Sequence, residues 1–167
     1  MESRVAASLA TLTACEWDAL VPDGALFLRH AFLAGLEQSG CIAAETGWES
    51  AHVLLTDAQG LAAAAPVYLK THSYGEFVFD FSWAQAYARA GLEYYPKLVV
   101  AVPFTPATGP RLLVRPGLDP VTLKRRLLVR LAALARERGA SSAHVLFPDD
   151  ADTAALDEAG WLGRRDC

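Results

Sequence analysis

Apolar positions in the first quarter of the chain recur with two different periods. Residues 5–13 form a short apolar-leaning segment that predicts a first strand, and a brief helix follows through 17–20. Over 27–38 the apolar residues return every three or four positions, and Ser39-Gly40 follows them, so the pattern predicts an amphipathic helix that ends there. The chain is therefore expected to begin with a strand followed by helices.

The next stretch carries a hairpin signal. The strand-like runs 52–56 and 61–70 are joined by Asp57-Ala58-Gln59-Gly60, and a short polar loop ending in glycine is typical of a β-hairpin. Pro66 interrupts the second run. Because proline has no N–H to donate to a ladder, it predicts a bulge or a sheet edge at this position.

The second half of the chain alternates extended and helical patterns. We predict an extended piece over 74–80, a helix over 81–90, an apolar strand over 98–102 and a short strand over 111–114. A long helix over 119–138, a strand over 142–147 and a last helix over 150–159 are predicted to follow. Asp119-Pro120 marks the start of the long helix, because an acidic N-cap followed by proline favours helix initiation. The alternation predicts an α/β fold, with a mixed sheet that has parallel members and is covered by helices.

Composition narrows the class of protein. The 167 residues suffice for one domain with a core, and 53% apolar with 20% charged residues is the balance of a globular protein. The net charge of −4 disfavours a DNA-binding surface. No apolar run is long enough for a membrane span, and no export signal is found at the N-terminus. Cys15, Cys41 and Cys167 are widely spaced, which predicts reduced thiols in a cytoplasmic protein, the first two of them buried.

One loop concentrates side chains suited to chemistry. His72, Tyr74 and Glu76 alternate along the chain, so in an extended segment they would share one face, where a base of near-neutral pKa could serve acyl transfer to an amine. The alternative is an ordinary loop with solvated polar groups. Asp80 lies between two phenylalanines and is either a base of raised pKa or, as the sequence favours, the N-cap of the helix after it.

A second loop supplies candidate substrate contacts through aromatic rings. Tyr94, Tyr95 and Lys97 could form an aromatic wall with a cationic end for an acyl or peptidyl chain. Equally, the two tyrosines could cover the edge of the core. The residue types alone leave both interpretations open.

A third loop contains Thr105, Thr108 and Gly109 ahead of Arg111. Arg111 could hold a phosphate or a carboxylate through paired hydrogen bonds, although an arginine on the surface is the default interpretation. The working hypothesis is that this loop and the two before it line a common hollow beside the central strands.

The long helix places one cation within its apolar arc. Lys124 lies there near the helix start, where a positive charge opposes the helix dipole, so an anionic partner would account for it. The interpretation that the sequence favours is a lysine that extends its ammonium group into solvent. No pair of histidines has the spacing of metal ligands, so no metal site is predicted.

Four stretches of this sequence resemble the bacterial Fem-like N-acyltransferases, relatives of the peptidoglycan-bridge aminoacyl transferases with the acetyltransferase (GNAT-like) fold. The stretches are FLRHAFLAGLEQSG at 27–40, the hairpin at 52–68, KTHSYGEFVFDFSWAQAY with YYPKL at 70–98, and PFTPATGPRLLV with the long helix and AHVLFP behind it. The resemblance covers about residues 25–161. It implies transfer of an acyl or aminoacyl group from acyl-CoA or aminoacyl-tRNA to a small-molecule amine acceptor.

The chain departs from the acetyltransferase pattern in two places. Acetyl-CoA enzymes usually carry a glycine-rich loop whose N–H groups hold pyrophosphate, and here Gly109 is the one glycine of the corresponding loop. Family members continue past 160–162 into further strands, so we expect a single GNAT-like domain over 1–167 that lacks its final strands. An incomplete sheet would leave an open edge for a homodimer. The alternative function is therefore a non-catalytic binding or scaffold relative that retains the fold.

Overall fold

Two four-stranded sheets and five α-helices make up the fold of the computed structural model, which describes residues 1–164. The strands are β1 (Glu2–Ala6), β2 (Trp48–Ser50), β3 (His52–Asp57), β4 (Gly60–Ala65), β5 (Val67–Lys70), β6 (Lys97–Val100), β7 (Leu113–Val114) and β8 (Ala143–Val145). The helices are α1 (Ala14–Asp18), α2 (His30–Gln38), α3 (Phe81–Arg89), α4 (Pro120–Glu137) and α5 (Asp150–Glu158). The predicted α/β class is confirmed.

The hairpin strands run from one sheet into the other. The first sheet has the order β1-β3-β4-β7 and the second β2-β5-β6-β8, and every pairing is antiparallel except that of β6 with β8. Ala51 separates β2 from β3, Pro66 separates β4 from β5, and the N–H of Ala51 donates to the carbonyl of Val67 at 2.8 Å. Pro66 therefore marks a crossing between sheets, where the sequence predicted a bulge or an edge.

Helices cover both faces of the first sheet, because its strands bury alternate residues in two separate cores. One face packs on α4; its strand members are Val53, Leu55, Ala63 and Ala65, and the helix stripe is Leu123, Leu127, Leu128, Leu131, Leu134 and Ala135. The other face packs on α1 and α2 through Leu54, Ala64, Trp17, Leu28 and Leu33. Each large apolar side chain buried in this way stabilises the fold by roughly 1.5–3 kcal/mol.

Helix α2 is held to the strands by one carboxylate. Glu37 accepts hydrogen bonds from the hydroxyls of Ser8 and Ser50 at 2.7 Å each, and its Oε1 lies 2.8 Å from Nε2 of His52. Nδ1 of His52 accepts the N–H of Val67 at 3.2 Å, so both ring nitrogens serve the fold. Burial would raise the pKa of Glu37, but the bonds from His52 and the serines outweigh it and lower the pKa to about 2.

Helix α5 is anchored by Asp152, which is buried in its first turn. Oδ2 accepts the N–H of Arg111 at 2.5 Å and that of Leu112 at 2.9 Å, and Oδ1 lies 2.7 Å from Nζ of Lys124. The ammonium of Lys124 therefore pairs with an anion inside the protein, and the expectation that it extends into solvent is wrong. This carboxylate joins α5 and α4 to the backbone just before β7.

Several element boundaries differ from the predictions. The first strand ends at Ala6, because Leu9 and Leu12 turn into the core through a short 3-10 helix at Leu9–Thr11. The helix predicted over 27–38 begins at His30, after another 3-10 helix. The segment 74–80 forms no strand. In each case a tertiary contact overrides the local pattern.

The predictions about the cysteines and about membrane spanning can be compared with the structure. Cys15 and Cys41 are free thiols on the surface, so their predicted burial is wrong, and Cys167 lies outside the described residues. Across residues 1–164, no helix combines the length and the apolar character needed to cross a membrane.

Replacing Asp152 by alanine is expected to destabilise the fold by about 3–5 kcal/mol, because two buried N–H groups and the ammonium of Lys124 would lose their acceptor. Urea unfolding at neutral pH measures the change in free energy. The matched control is Asp150→Ala, an exposed position in the same helical turn, where we expect a change of about 0.5 kcal/mol or less. Equal losses in the two variants would contradict the anchoring role.

Candidate active site

A buried lysine organises the loop that follows β5. Nζ of Lys97, at the start of β6, donates to Oε2 of Glu76 at 2.7 Å, to Oδ2 of Asp80 at 2.5 Å and to Oγ of Ser73 at 3.1 Å. All four residues are buried. Because the ammonium has three N–H donors, each of them has an acceptor in a place from which water is excluded. We call these four residues the Lys97 cluster.

Asp80 is an ion-pair partner and not a helix cap. It occupies the N-cap position of α3 but makes no capping hydrogen bond, so the cap interpretation is wrong. Its Oδ2 accepts the hydroxyl of Tyr94 at 2.9 Å, and its Oδ1 accepts a donor of Arg164 at 2.9 Å. Burial would raise the pKa of Asp80, but the hydrogen bond and the charge of Lys97 outweigh it and lower the pKa. The predicted raised pKa is therefore wrong too.

Two tyrosines line the Lys97 cluster beside β6. The hydroxyl of Tyr95 lies 2.8 Å from Oγ of Ser73, and the rings of Tyr94 and Tyr95 meet edge to face at 5.0 Å between centroids. Tyr94 is buried, and the peptide bond from Tyr95 to Pro96 is cis. The predicted aromatic wall with a cationic end thus faces the interior, and its cation is paired.

A second buried lysine lies at the end of β5 with far fewer partners. Nζ of Lys70 donates to the carbonyl of Tyr74 at 3.1 Å and lies 3.7 Å from the centre of the Trp48 ring. No carboxylate oxygen of residues 1–164 forms an ion pair with it. Burial lowers the pKa of Lys70 to about 7, against the opposing effect of the charge on Glu76. An amine of this pKa is partly neutral at physiological pH.

Glu76 keeps one carboxylate oxygen without a partner. Oε2 binds Lys97, whereas Oε1 is buried and has no hydrogen-bond partner within residues 1–164. Burial raises the pKa of Glu76, although the charges of Lys97 and Lys70 oppose the shift. A buried carboxylate with a raised pKa and an unused oxygen has the properties of a general base.

The three polar residues predicted to share a face are separated by a turn at Tyr74-Gly75. Tyr74 is exposed, His72 is half-buried and Glu76 points into the Lys97 cluster. The N–H of Tyr74 donates to Nδ1 of His72 at 3.2 Å, and the two rings meet at 5.2 Å between centroids. The common face is wrong because the segment turns instead of extending. The catalytic roles of His72 and Tyr74 stay predictions.

Exposed aromatic rings lie along residues 74–83 and at Phe104. We call them the aromatic surface, and they are Tyr74, Phe77, Phe79, Phe81, Trp83 and Phe104. The centroids of Tyr74 and Phe81 are 5.9 Å apart, and Phe81 stacks on Phe79 at 6.4 Å. Helix α3, which carries Phe81 and Trp83, buries none of its residues. Exposed apolar area of this density is typical of a ligand or partner site.

Two of these phenylalanines are held in a left-handed backbone conformation. Phe77 has φ +60° and Phe104 has φ +58°, and their exposures are 50% and 42%. This conformation costs a non-glycine residue roughly 1–2 kcal/mol, and each ring is only about half buried. Phe104 donates its N–H to the carbonyl of Gly75 at 3.1 Å, so it borders the turn. Strain of this kind is typical of functional surfaces.

Arg111 of the third predicted loop is buried and serves the backbone. Its guanidinium donates to the carbonyls of Leu146 at 2.9 Å, Pro110 at 3.0 Å and Ala107 at 2.6 Å. Burial lowers the pKa of Arg111 to about 10, against the opposing charge of Asp152. The expected surface arginine is therefore wrong, and a phosphate would compete with these carbonyls for its donors.

The other residues of the third loop make contacts within the protein or lie on its surface. The hydroxyl of Thr105 donates to the carbonyl of Pro103 at 3.1 Å, and Thr108 is exposed. Gly109 forms a parallel bridge with Pro148 beyond the end of β8. Phe104, just before this loop, is the residue that contacts the turn at Gly75.

Two of the three predicted stretches meet, and the third lies apart. Residues 72–76 and 94–97 converge at the Lys97 cluster, whereas Arg111 and Lys124 belong to the network around Asp152. The single hollow expected from the sequence is therefore wrong. Sequence reasoning missed Lys70, whose signal was a lysine at the end of an apolar strand run. It also missed the aromatic surface, whose signal was the alternation in FVFDF.

His144 on β8 completes the surroundings of the cluster. Its Nε2 lies 2.8 Å from Oγ of Ser142, and burial, reinforced by the charge of Lys97, lowers its pKa to about 4. The imidazole is therefore neutral near pH 7. Within the described part of the chain, no three His, Cys, Asp or Glu side chains gather in a way that could hold a metal ion.

Comparison with known proteins bears on family and fold. Residues 8–167 match the family model FemAB-like, described as peptidoglycan biosynthesis/recognition. The chain is similar to the apo crystal structure of the aminoglycoside antibiotic 6'-N-acetyltransferase AAC(6')-IG from Acinetobacter haemolyticus, with TM-score 0.57, 11% identity and coverage of 100% of this chain and 94% of that one. It is also similar to a crystal structure titled as a probable acetyltransferase, with TM-score 0.52, 16% identity and coverage of 100% and 92%. The predicted GNAT-like fold is confirmed. Among curated proteins, none matches this sequence.

Replacing Gly75 by alanine is expected to destabilise the turn through two effects that a control separates. Gly75 has φ +81°, and a Cβ there would lie 2.6 Å from the Phe104 ring. Gly24 has a similar φ of +84° with nothing within 4 Å, so Gly24→Ala reports the backbone cost alone, about 1–2 kcal/mol. We expect Gly75→Ala to lose a further 1–3 kcal/mol, roughly, in urea unfolding. Identical losses would show that the contact with Phe104 is unimportant.

Proposed function

The chain belongs to the FemAB-like family, and from that premise we propose that it acts as an N-acyltransferase, which transfers an acyl or aminoacyl group to an amine. The acetyltransferase-like fold supports this class of reaction. The observation that carries the proposal is Oε1 of Glu76, a buried carboxylate oxygen without a hydrogen-bond partner among the described residues, in the segment that carries most of the aromatic surface.

Glu76 has the role of general base in the proposed reaction. An amine attacks a carbonyl only with a free lone pair, so the acceptor ammonium first gives a proton to Oε1. The amine nitrogen then bonds to the carbonyl carbon, and the bond from that carbon to the sulfur or oxygen of the donor breaks. The second proton lost by nitrogen goes to the leaving thiol or hydroxyl. Glu76 afterwards releases its proton to solvent.

The aromatic surface has the role of binding the apolar part of a substrate. Four of its rings, at Tyr74, Phe77, Phe79 and Phe81, lie within five residues of Glu76 along the chain, and Tyr74 and Phe81 are in contact, so we propose that a substrate held on them lies close to the base. The proposal requires the turn at Tyr74-Gly75 to move when the acceptor enters. Binding on fixed rings lowers the entropy cost of bringing the amine to the carboxylate.

The donor is an acyl thioester or an aminoacyl ester. Acyl-CoA needs partners for its phosphates, and Arg111 already donates to three backbone carbonyls. Aminoacyl-tRNA carries phosphates as well, so Arg111 does not discriminate between the two, and we propose both acyl-CoA and aminoacyl-tRNA as candidate donors. Both are made in the cytoplasm, which is where we place the reaction.

Replacing Glu76 by glutamine tests the proposed base. With acetyl-CoA, longer acyl-CoAs and aminoacyl-tRNA as donors and a panel of primary amines as acceptors, we expect kcat/KM to fall by roughly 10²–10⁴-fold, because the amide cannot take a proton. Glu93→Gln, an exposed acid just before Tyr94, is the control and should keep the rate. Transfer by the Glu76 variant at the rate of the unchanged protein would refute the role of Glu76.

A second candidate function is a non-catalytic binding module with the same fold. The observation that favours it is the burial of every charged group in the Lys97 cluster, which leaves the aromatic surface as the accessible part of the site. The same panel distinguishes the two functions. A donor or amine that raises the melting temperature without being converted supports the binding module.

We further propose that the chain forms a homodimer through the edge strand β8. Within residues 1–164, β8 pairs with β6 on one side only and is half-buried, and an unpaired edge is a template for another strand. Light scattering coupled to gel filtration should report a dimer. Val145→Pro, which removes an N–H from the edge, should shift the protein to a monomer. A monomer before any substitution would contradict the proposal.

A further inference from the structure

The two buried lysines lie directly opposite each other in the second sheet. Lys70 of β5 and Lys97 of β6 are cross-strand partners, and both are 0% exposed. Like charges at such positions repel each other, and here no water screens them. Two carboxylates compensate Lys97, whereas the contacts of Lys70 are the carbonyl of Tyr74 and the ring of Trp48.

A structural role does not account for Lys70. Removing an ammonium group from water is costly, and an apolar residue of similar length at this position would avoid that cost and the repulsion from Lys97. The fold would therefore gain from an apolar side chain here, and a chemical role is the better explanation.

We propose that Lys70 is a positioning residue that controls the ionisation of Glu76, holding it as the carboxylate that takes a proton from the acceptor amine. The geometry behind this is the cross-strand pair of Lys70 and Lys97: Lys97 binds Oε2 of Glu76 at 2.7 Å, and Lys70 binds the carbonyl of Tyr74, two residues before Glu76. Lys70 is incompletely paired, and Oε1 of Glu76 is unused. The consequence for the rate rests on the proposed acyltransferase function. The titration of Lys70 and Glu76 is independent of that function.

The other charged and titratable groups around Glu76 have stable partners. Lys97 is bound between Glu76 and Asp80, and Asp80 also accepts from Tyr94 and Arg164. Across the sheet, His144 is neutral near pH 7 because burial lowers its pKa. Lys70 differs from Lys97 in lacking a carboxylate partner within residues 1–164, and burial lowers its pKa to about 7.

The charge of each member of the pair opposes the effect of burial on the other. Burial lowers the pKa of Lys70 to about 7 from 10.5 and raises that of Glu76. As the pH rises through 7, Lys70 loses the charge that favours the carboxylate. In the folding equilibrium, the penalty for burying charged Lys70 is fully present below pH 7 and disappears as the pH rises from about 7 to 10.5, because the unfolded state holds the proton over that range.

Lysine Cε NMR tests the titration on the unchanged protein. The chain has three lysines, Lys70, Lys97 and Lys124, so the signal missing from a Lys70→Arg sample assigns Lys70. We expect this signal to titrate near pH 7 and to move to lower pH in Glu76→Gln, where the opposing negative charge is gone. A signal that titrates near 10.5, or one that Glu76→Gln does not move, overturns the inference.

The pH profile of kcat/KM tests the consequence for the rate. Activity should rise with pH as Glu76 ionises, which gives the profile a rising limb. In Lys70→Met this limb should move to higher pH by about one unit or more, because a positive charge near Glu76 is lost. Lys70→Arg keeps a permanent charge and should keep the limb at or below its original pH. A residue with only a structural role would lower the rate at every pH without moving the limb.

The outcomes separate this inference from the proposed function. If no donor is converted but Lys70 titrates near 7 and responds to Glu76→Gln, the acyltransferase proposal fails and the coupled pair stands. If transfer occurs and the limb is the same with Lys, Met and Arg at position 70, the control of Glu76 by Lys70 is refuted. Should Lys70→Met fail to fold by circular dichroism, the arginine variant and the NMR titration decide the question.

Discussion

Lys97 is an ammonium group at the start of a buried strand, and the loop before it is arranged to supply that charge with acceptors. Glu76 and Asp80 both reach Nζ, and they stand four residues apart in a segment that also contains Phe77, Val78 and Phe79. With both acids turned inward, the two phenylalanines between them are turned to solvent. The need to neutralise one buried charge thus accounts both for the buried base and for the exposed rings beside it.

The same exclusion of water that requires Lys97 to be paired also tunes its neighbours. Burial pushes Lys70 and Glu76 toward their neutral forms, while the charge of each favours the ionised form of the other. In water these groups would be an ordinary cation and an ordinary anion at neutral pH. Inside the protein the pKa of Lys70 is lowered to about 7 and that of Glu76 is raised, and a base of raised pKa is what acyl transfer to an amine requires.

Asp152 is a second buried carboxylate that joins separate elements of the fold, and it lies outside the candidate site. It joins Lys124 of α4 to the backbone at Arg111, and Arg111 in turn binds the carbonyls of the loop before it. These side chains resemble an anion-binding set when read along the sequence. In three dimensions they bind one another, so the polar residues divide into a site that retains an unused oxygen and a network that holds the fold.

The sequence by itself determined the elements whose signals are local: the hairpin around Asp57 to Gly60, the helix that Asp119 and Pro120 begin, and the α/β class that follows from their order. Only the tertiary structure decided which polar side chains meet. Lys97 and Asp80 are 17 residues apart, and Arg111 and Asp152 are 41 apart. Alternation placed His72, Tyr74 and Glu76 on one face, but Glu76 turned inward. The free energy of pairing a buried charge exceeds the preference of a short polar segment for extended structure, and no local pattern reveals where that charge will be.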